Sequence, residues 1–125
     1  MVINLTPHTI DFFRREDVVP DFGRGFKLAA QSVVPALIIP SSGIARVATA
    51  ETDDGEIGGV PVLKQEYGSI MGLPKPRKGV YYVVSALTAQ AARAQGRTTD
   101  DLLLTTRLVR NDSGSIVGCA AFARP

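Results

Sequence analysis

Leu73-Pro74-Lys75-Pro76-Arg77-Lys78-Gly79-Val80-Tyr81-Tyr82-Val83-Val84-Ser85-Ala86-Leu87-Thr88-Ala89-Gln90-Ala91-Ala92-Arg93-Ala94-Gln95-Gly96 joins a basic loop, a strand and a helix without a break. Pro74 and Pro76 fix φ and push Leu73 and Lys75 into extended geometry, so Lys75, Arg77 and Lys78 stand on a loop with little freedom to collapse. Val80 to Val84 is a continuous β-branched and aromatic run, the pattern of a strand covered on both faces. Ser85 predicts an N-cap, and the Ala-rich segment behind it predicts a helix over 86–95. Arg93 suits the negative end of that helix dipole, and Gly96 supplies the left-handed residue that stops it. The free amides at Ser85, Ala86 and Leu87 are met by the cap and water, or offer a place for an anion.

Downstream of the helix, Arg97-Thr98-Thr99-Asp100-Asp101 reads as a polar connector. Leu102 to Arg110 and Ser115 to Phe122 are β-rich runs joined by Asn111-Asp112-Ser113-Gly114, the clearest hairpin in the chain. Arg107 and Arg110 fall on opposite strand faces unless the strand bulges. Upstream, Gly58 to Tyr67 and Gly43 to Ala50 have strand character, and the acidic Thr52-Asp53-Asp54-Gly55-Glu56 between them predicts a solvated hairpin turn rather than a calcium loop. Arg46, flanked by Ala45 and Val47, needs either a structural carboxylate or an anionic ligand if its face is covered. Ser32 to Ile39, interrupted by Pro35, predicts an edge strand. Arg14 to Lys27 predicts a surface loop in which Phe22-Gly23-Arg24-Gly25-Phe26 either tacks the loop to the core or forms a lid or docking patch. Val2 to Leu5 and Thr9 to Phe13 read as short strands broken at Thr6-Pro7. The expected class is α+β, mostly β: a curled antiparallel sheet or small barrel with one helix packed against it, in a single domain over 1–125.

Composition narrows the function classes. A formal charge of +2 with mixed signs along the chain is too weak for a general duplex nucleic-acid binder, but compatible with a small anionic ligand. One cysteine, Cys119 among Val117, Gly118, Ala120 and Ala121, excludes an internal disulfide framework or a multi-cysteine zinc site and reads as a small core hydrophobe. No signal peptide or membrane-length apolar run is legible, so a cytoplasmic protein is expected, with no membrane partner. His8 is the sole histidine and reads as a turn residue bonded to backbone; a general base would need a partner that the sequence does not advertise.

Taken in order, Asn4-Leu5-Thr6-Pro7-His8, Pro40-Ser41-Ser42-Gly43-Ile44-Ala45-Arg46-Val47, Tyr67-Gly68 with Gly72-Leu73-Pro74, and Gly79-Val80-Tyr81-Tyr82-Val83-Val84-Ser85 form a set. That set resembles small proteins encoded by bacteriophages and prophages. The resemblance covers both ends and most of the middle; between Arg14 and Ile39 this chain is longer and more glycine-rich than the pattern. It implies a phage origin, hence the host bacterial cytoplasm, and carries no assigned activity.

Three function classes follow. The first is a non-catalytic protein that captures a small anionic ligand, such as a nucleotide immune signal, in the manner of an anti-defence sponge. Its site residues are Arg46, Lys75, Arg77, Lys78, Ser85 and Tyr82, the cations pairing phosphate and the Tyr stacking a base. The second is a phage structural protein or host-protein-binding inhibitor with no small ligand, docking through residues 21–27. The third is an enzyme, for which only Asp53, Asp54, Asp100, Asp101 and His8 are available, at no diagnostic spacing. No catalytic residue, metal ligand or cofactor is therefore assigned. Unpaired strand edges and the apolar residues around Pro35 point to a homo-oligomer.

Overall fold

The computed structural model describes all 125 residues. In chain order the elements are β1 (Val2–Asn4), β2 (Ile10–Phe12), a 3-10 turn (Arg15–Asp17), β3 (Val18–Pro20), β4 (Phe26–Leu28), β5 (Leu37–Ile39), β6 (Arg46–Ile57), β7 (Val60–Met71), β8 (Tyr81–Val83), α1 (Ala86–Ala94), β9 (Leu102–Arg110) and β10 (Ile116–Ala123). The protein is thus mostly β with a single helix, as its sequence predicts. Within that class the pairing is mixed: β9–β10, β2–β5 and β3–β4 are antiparallel, whereas β1–β8, β8–β9, β10–β2 and β4–β9 are parallel. The parallel pairs arise because each short strand returns to the sheet after a loop or helix instead of a tight turn.

Strand order β1-β8-β9-β10-β2-β5 curls until its two ends nearly meet. A bridge between Asn4 and Ser41 joins the end of β1 to the chain just beyond β5, and Ser42 N–H donates to the Asn4 carbonyl at 2.9 Å. The sheet is therefore a nearly closed small barrel, which removes most of its free edge. Alternation along β8 divides the core. Tyr82, Val84 and Val80 face α1, packing with Leu5, Ala45, Ala89, Ala92 and Leu102. Val83 faces the other way, against Ile10 and Cys119. Val80 and Tyr82 to Val84 are buried, as a continuous apolar run predicts, but Tyr81 is 38% exposed, so the cover is incomplete at the start of β8.

Helix α1 begins and ends where its caps dictate. Ser85 Oγ accepts from Thr88 N–H at 3.2 Å, and Gly96 takes φ +80°, donating to the Arg93 carbonyl. The segment read as a surface loop holds more structure than expected: β3 and β4 form a short hairpin whose Phe26 packs with Phe13, Val18 and Val109. Phe22 at its tip is fully exposed.

The largest departure is at residues 52–56. They lie inside β6 instead of forming a turn, and β6 and β7 make a two-stranded arm of twelve residues per strand. The turn sits at Gly58-Gly59, with φ +61° and +81°. Two consecutive left-handed residues suit the right-handed strand twist, so this pair outcompetes the acidic segment as the reversal point. Asp54-Gly55 becomes a bulge between the Asp53–Leu63 and Glu56–Pro61 pairs, with Gly55 at φ +88°.

Candidate functional site

The arm and the basic loop share a root. Arg46, the first residue of β6, pairs with Met71, the last of β7, and the chain turns at Gly72 into the loop. Gly72 has φ +82°, and a Cβ there would run into the Ile44 carbonyl, so only glycine permits the close approach. Leu73 then packs against the core beneath α1. Arg97 Nη2 donates to the Pro74 carbonyl at 2.9 Å. At the far end, Val80 N–H closes on the Arg77 carbonyl at 3.1 Å and Tyr81 N–H on the Met1 carbonyl at 2.8 Å. Lys75, Arg77 and Lys78 are thus exposed on a loop fixed at both ends.

Arg97 holds that position because it is itself held. Its guanidinium meets Asp101 in a two-pronged pair, Nη1–Oδ1 and Nη2–Oδ2 both at 2.8 Å. The two side chains are 18% and 10% exposed, so the pair is largely out of water. The polar connector of the sequence is in fact the anchor of the basic loop. An Arg and an Asp four residues apart were its only signal, easily taken for a solvated turn. Gln95 Nε2 adds a tie from the helix end to the Gly68 carbonyl of β7 at 2.7 Å.

The predicted site residues divide. Arg46, Lys75, Arg77 and Lys78 are exposed, and none has a carboxylate partner, since Arg97–Asp101 is the only ion pair in the molecule. Because Arg46 is exposed, its face is not covered and requires neither a structural carboxylate nor an anionic ligand. Tyr82 is placed differently: it is 1% exposed within the core under α1, so its ring faces protein and has no free face for a base. The aromatic character that suggested stacking instead serves the packing of β8 against the helix. Ser85 Oγ is occupied by Thr88, accepting from its N–H and donating to its Oγ1 at 2.9 Å. That cap meets the Thr88 amide, and Ser85, Ala86 and Leu87 themselves are exposed to water.

A cleft of about 560 Å³ lies elsewhere, between the start of β2 and the β9–β10 hairpin, lined among others by Thr6, His8, Thr105, Leu108, Ile116 and Cys119. No lysine, arginine or carboxylate lines it. Burial pushes the Cys119 thiol above its ordinary range; a backbone hydrogen bond with Ala121 opposes this and the nearby Asp11 charge adds to it. The thiol therefore stays protonated near neutrality and packs as a hydrophobe. His8 is exposed and contributes its carbonyl, which accepts from Asn4 Nδ2 at 2.7 Å. No three His, Cys, Asp or Glu side chains converge anywhere in the fold.

The Asn4-Leu5-Thr6-Pro7-His8 segment has a structural reading at atomic detail. Asn4 is fully buried; its Nδ2 donates to the carbonyls of His8 and Ile39, and its Oδ1 accepts from Thr6 N–H and Oγ1. One side chain fastens β1, the Thr6–His8 bend and β5 where the barrel closes. Comparison with family models, curated proteins and solved structures returns no match.

Proposed function

We propose that this chain is a phage-encoded, non-catalytic binding protein that captures a small anionic ligand of nucleotide class, acting in the host cytoplasm as a sponge for an immune signal. The observation that carries the reading is the set Lys75, Arg77, Lys78 and Arg46: four exposed cations without carboxylate partners, three of them on a loop pinned at Pro74 and Tyr81. The loop backbone is pinned while its cationic side chains stand in water, and each charge-assisted hydrogen bond that they would make to phosphate is stronger than a neutral one. Phage origin rests on the resemblance carried by the ordered set Asn4–His8, Pro40–Val47, Tyr67-Gly68 with Gly72–Pro74, and Gly79–Ser85. No helix is long and apolar enough to cross a membrane.

Titration calorimetry against cyclic and linear nucleotides tests it. Micromolar or tighter binding is expected, weakened at least about tenfold in a Lys75→Ala, Arg77→Ala, Lys78→Ala variant; absence of binding across the panel removes the proposal. A second reading, a structural or host-protein-binding accessory, is favoured by the projecting arm and the exposed Phe22. A stoichiometric partner from host lysate, or presence in purified particles, would select it.

A further inference from the structure

The β6–β7 arm is partnered by its own chain only at its root. A lone two-stranded hairpin is marginal in water, yet this one leaves Leu63 51% and Tyr67 47% exposed on one face and Ile57 and Val60 exposed on the other. Register and alternation place Glu51, Asp53 and Glu56 on the face that carries Leu63 and Tyr67. Directly across from those carboxylates lie Gln65, Leu63 and Pro61, so no cation answers them. Residues 46–71 hold five carboxylates against two cations, net −3, and the remainder holds twelve cations against seven carboxylates, net +5. Within one molecule neither charge set is paired across that divide.

We propose that the arm docks on a second copy of this chain, its acidic apolar face lying along the other protomer's basic loop, Lys75 to Lys78, in a reciprocal two-fold exchange. Twelve strand residues at about 3.3 Å each reach roughly 40 Å, enough to extend past the protomer's own barrel. A two-fold axis that sends one arm to the partner's loop returns the partner's arm to the first loop. Docking covers Leu63 and Tyr67 and pairs Glu51, Asp53 and Glu56 with cations that otherwise have none.

Sedimentation velocity on the full chain, without nucleotide, tests the assignment. The wild type is expected to be dimeric at low salt and to dissociate in molar salt, where the screening length is about 3 Å. Glu51→Lys, Asp53→Lys, Glu56→Lys in one variant and Lys75→Glu, Arg77→Glu, Lys78→Glu in another should each weaken association about a hundredfold or more. An equimolar mixture of the two should recover the dimer, since one arm–loop pair is then reversed and complementary and the other is native. Thermal melts establish that each variant is folded; should a triple variant fail, Asp53→Lys and Arg77→Glu singly carry the same comparison. A wild type monomeric at low salt, or a dimer indifferent to both reversals, overturns the proposal. Nucleotide capture is measured separately at the loop cations, so either idea can fail alone.

Discussion

Asn4 shows how much a single buried amide decides. It supplies two donors and one doubly used acceptor to three segments that would otherwise end in unpaired groups. Asn4→Ala should cost about 2–4 kcal/mol in urea unfolding, the range for leaving several buried polar groups without partners. Asn4→Asp should be no milder, because an ionised carboxylate cannot donate to the His8 and Ile39 carbonyls; a variant as stable as wild type would show that the clasp contributes little. Cys119 gives a prediction in pH. Burial raises its pKa in the folded state above 9.0, so the unfolded chain ionises first as pH climbs. Its contribution is fully present below the unfolded pKa and is lost as pH rises through the folded one. Stability should therefore fall above about pH 9, and Cys119→Ala, though less stable overall, should show a flatter alkaline limb. A limb of unchanged slope would assign the loss to other groups.

Elements differ sharply in how much holds them. Breaking the Arg97–Asp101 pair by Arg97→Ala leaves a nearly buried carboxylate alone and frees the Pro74 carbonyl; a loss of about 3 kcal/mol is expected. Arg97→Lys should recover only part of it, because an ammonium cannot reproduce the two-pronged geometry. Hydrogen exchange at the Val80 and Tyr81 amides, which close the loop, should accelerate in both variants, and unchanged exchange there would separate the ion pair from the loop. The caps that make α1, Ser85 and Gly96, are legible in sequence because they act on their own neighbours. The β9–β10 hairpin is legible for the same reason, with Asn111 Oδ1 accepting from Ser113 and Ser115 N–H in its turn. The arm is hidden in the sequence because Thr52 to Glu56 has turn composition while Gly58-Gly59 has turn geometry, and only strand register decides between them. The core position of Tyr82 is not legible either, because alternation within a continuous apolar run does not tell which face meets a helix. Parallel pairing, the Asn4 clasp and the Arg97 anchor all depend on residues far apart in the chain, which local pattern cannot locate.

At the scale of the whole molecule the barrel closes on itself and the arm does not. The consequence is an uneven distribution of stability: amides of β8, β9 and α1 should exchange only on global unfolding, whereas those of the distal arm should exchange faster in the monomer and slow on assembly. Charge is distributed as unevenly as packing, net −3 on the arm and net +5 elsewhere. The same three loop cations, Lys75, Arg77 and Lys78, can be neutralised by a phosphate-bearing ligand or by a partner's arm, but not by both at once. Nucleotide capture and arm docking must then oppose one another by the same factor in each direction, since binding free energies are linked. ATP added to the dimer should shift its sedimentation toward monomer more than sodium chloride at matched ionic strength, and the Glu51→Lys, Asp53→Lys, Glu56→Lys variant should bind ATP more tightly than the wild type does. Sedimentation that responds only to ionic strength, together with calorimetry showing that ATP binds, would place the nucleotide away from the loop that receives the arm.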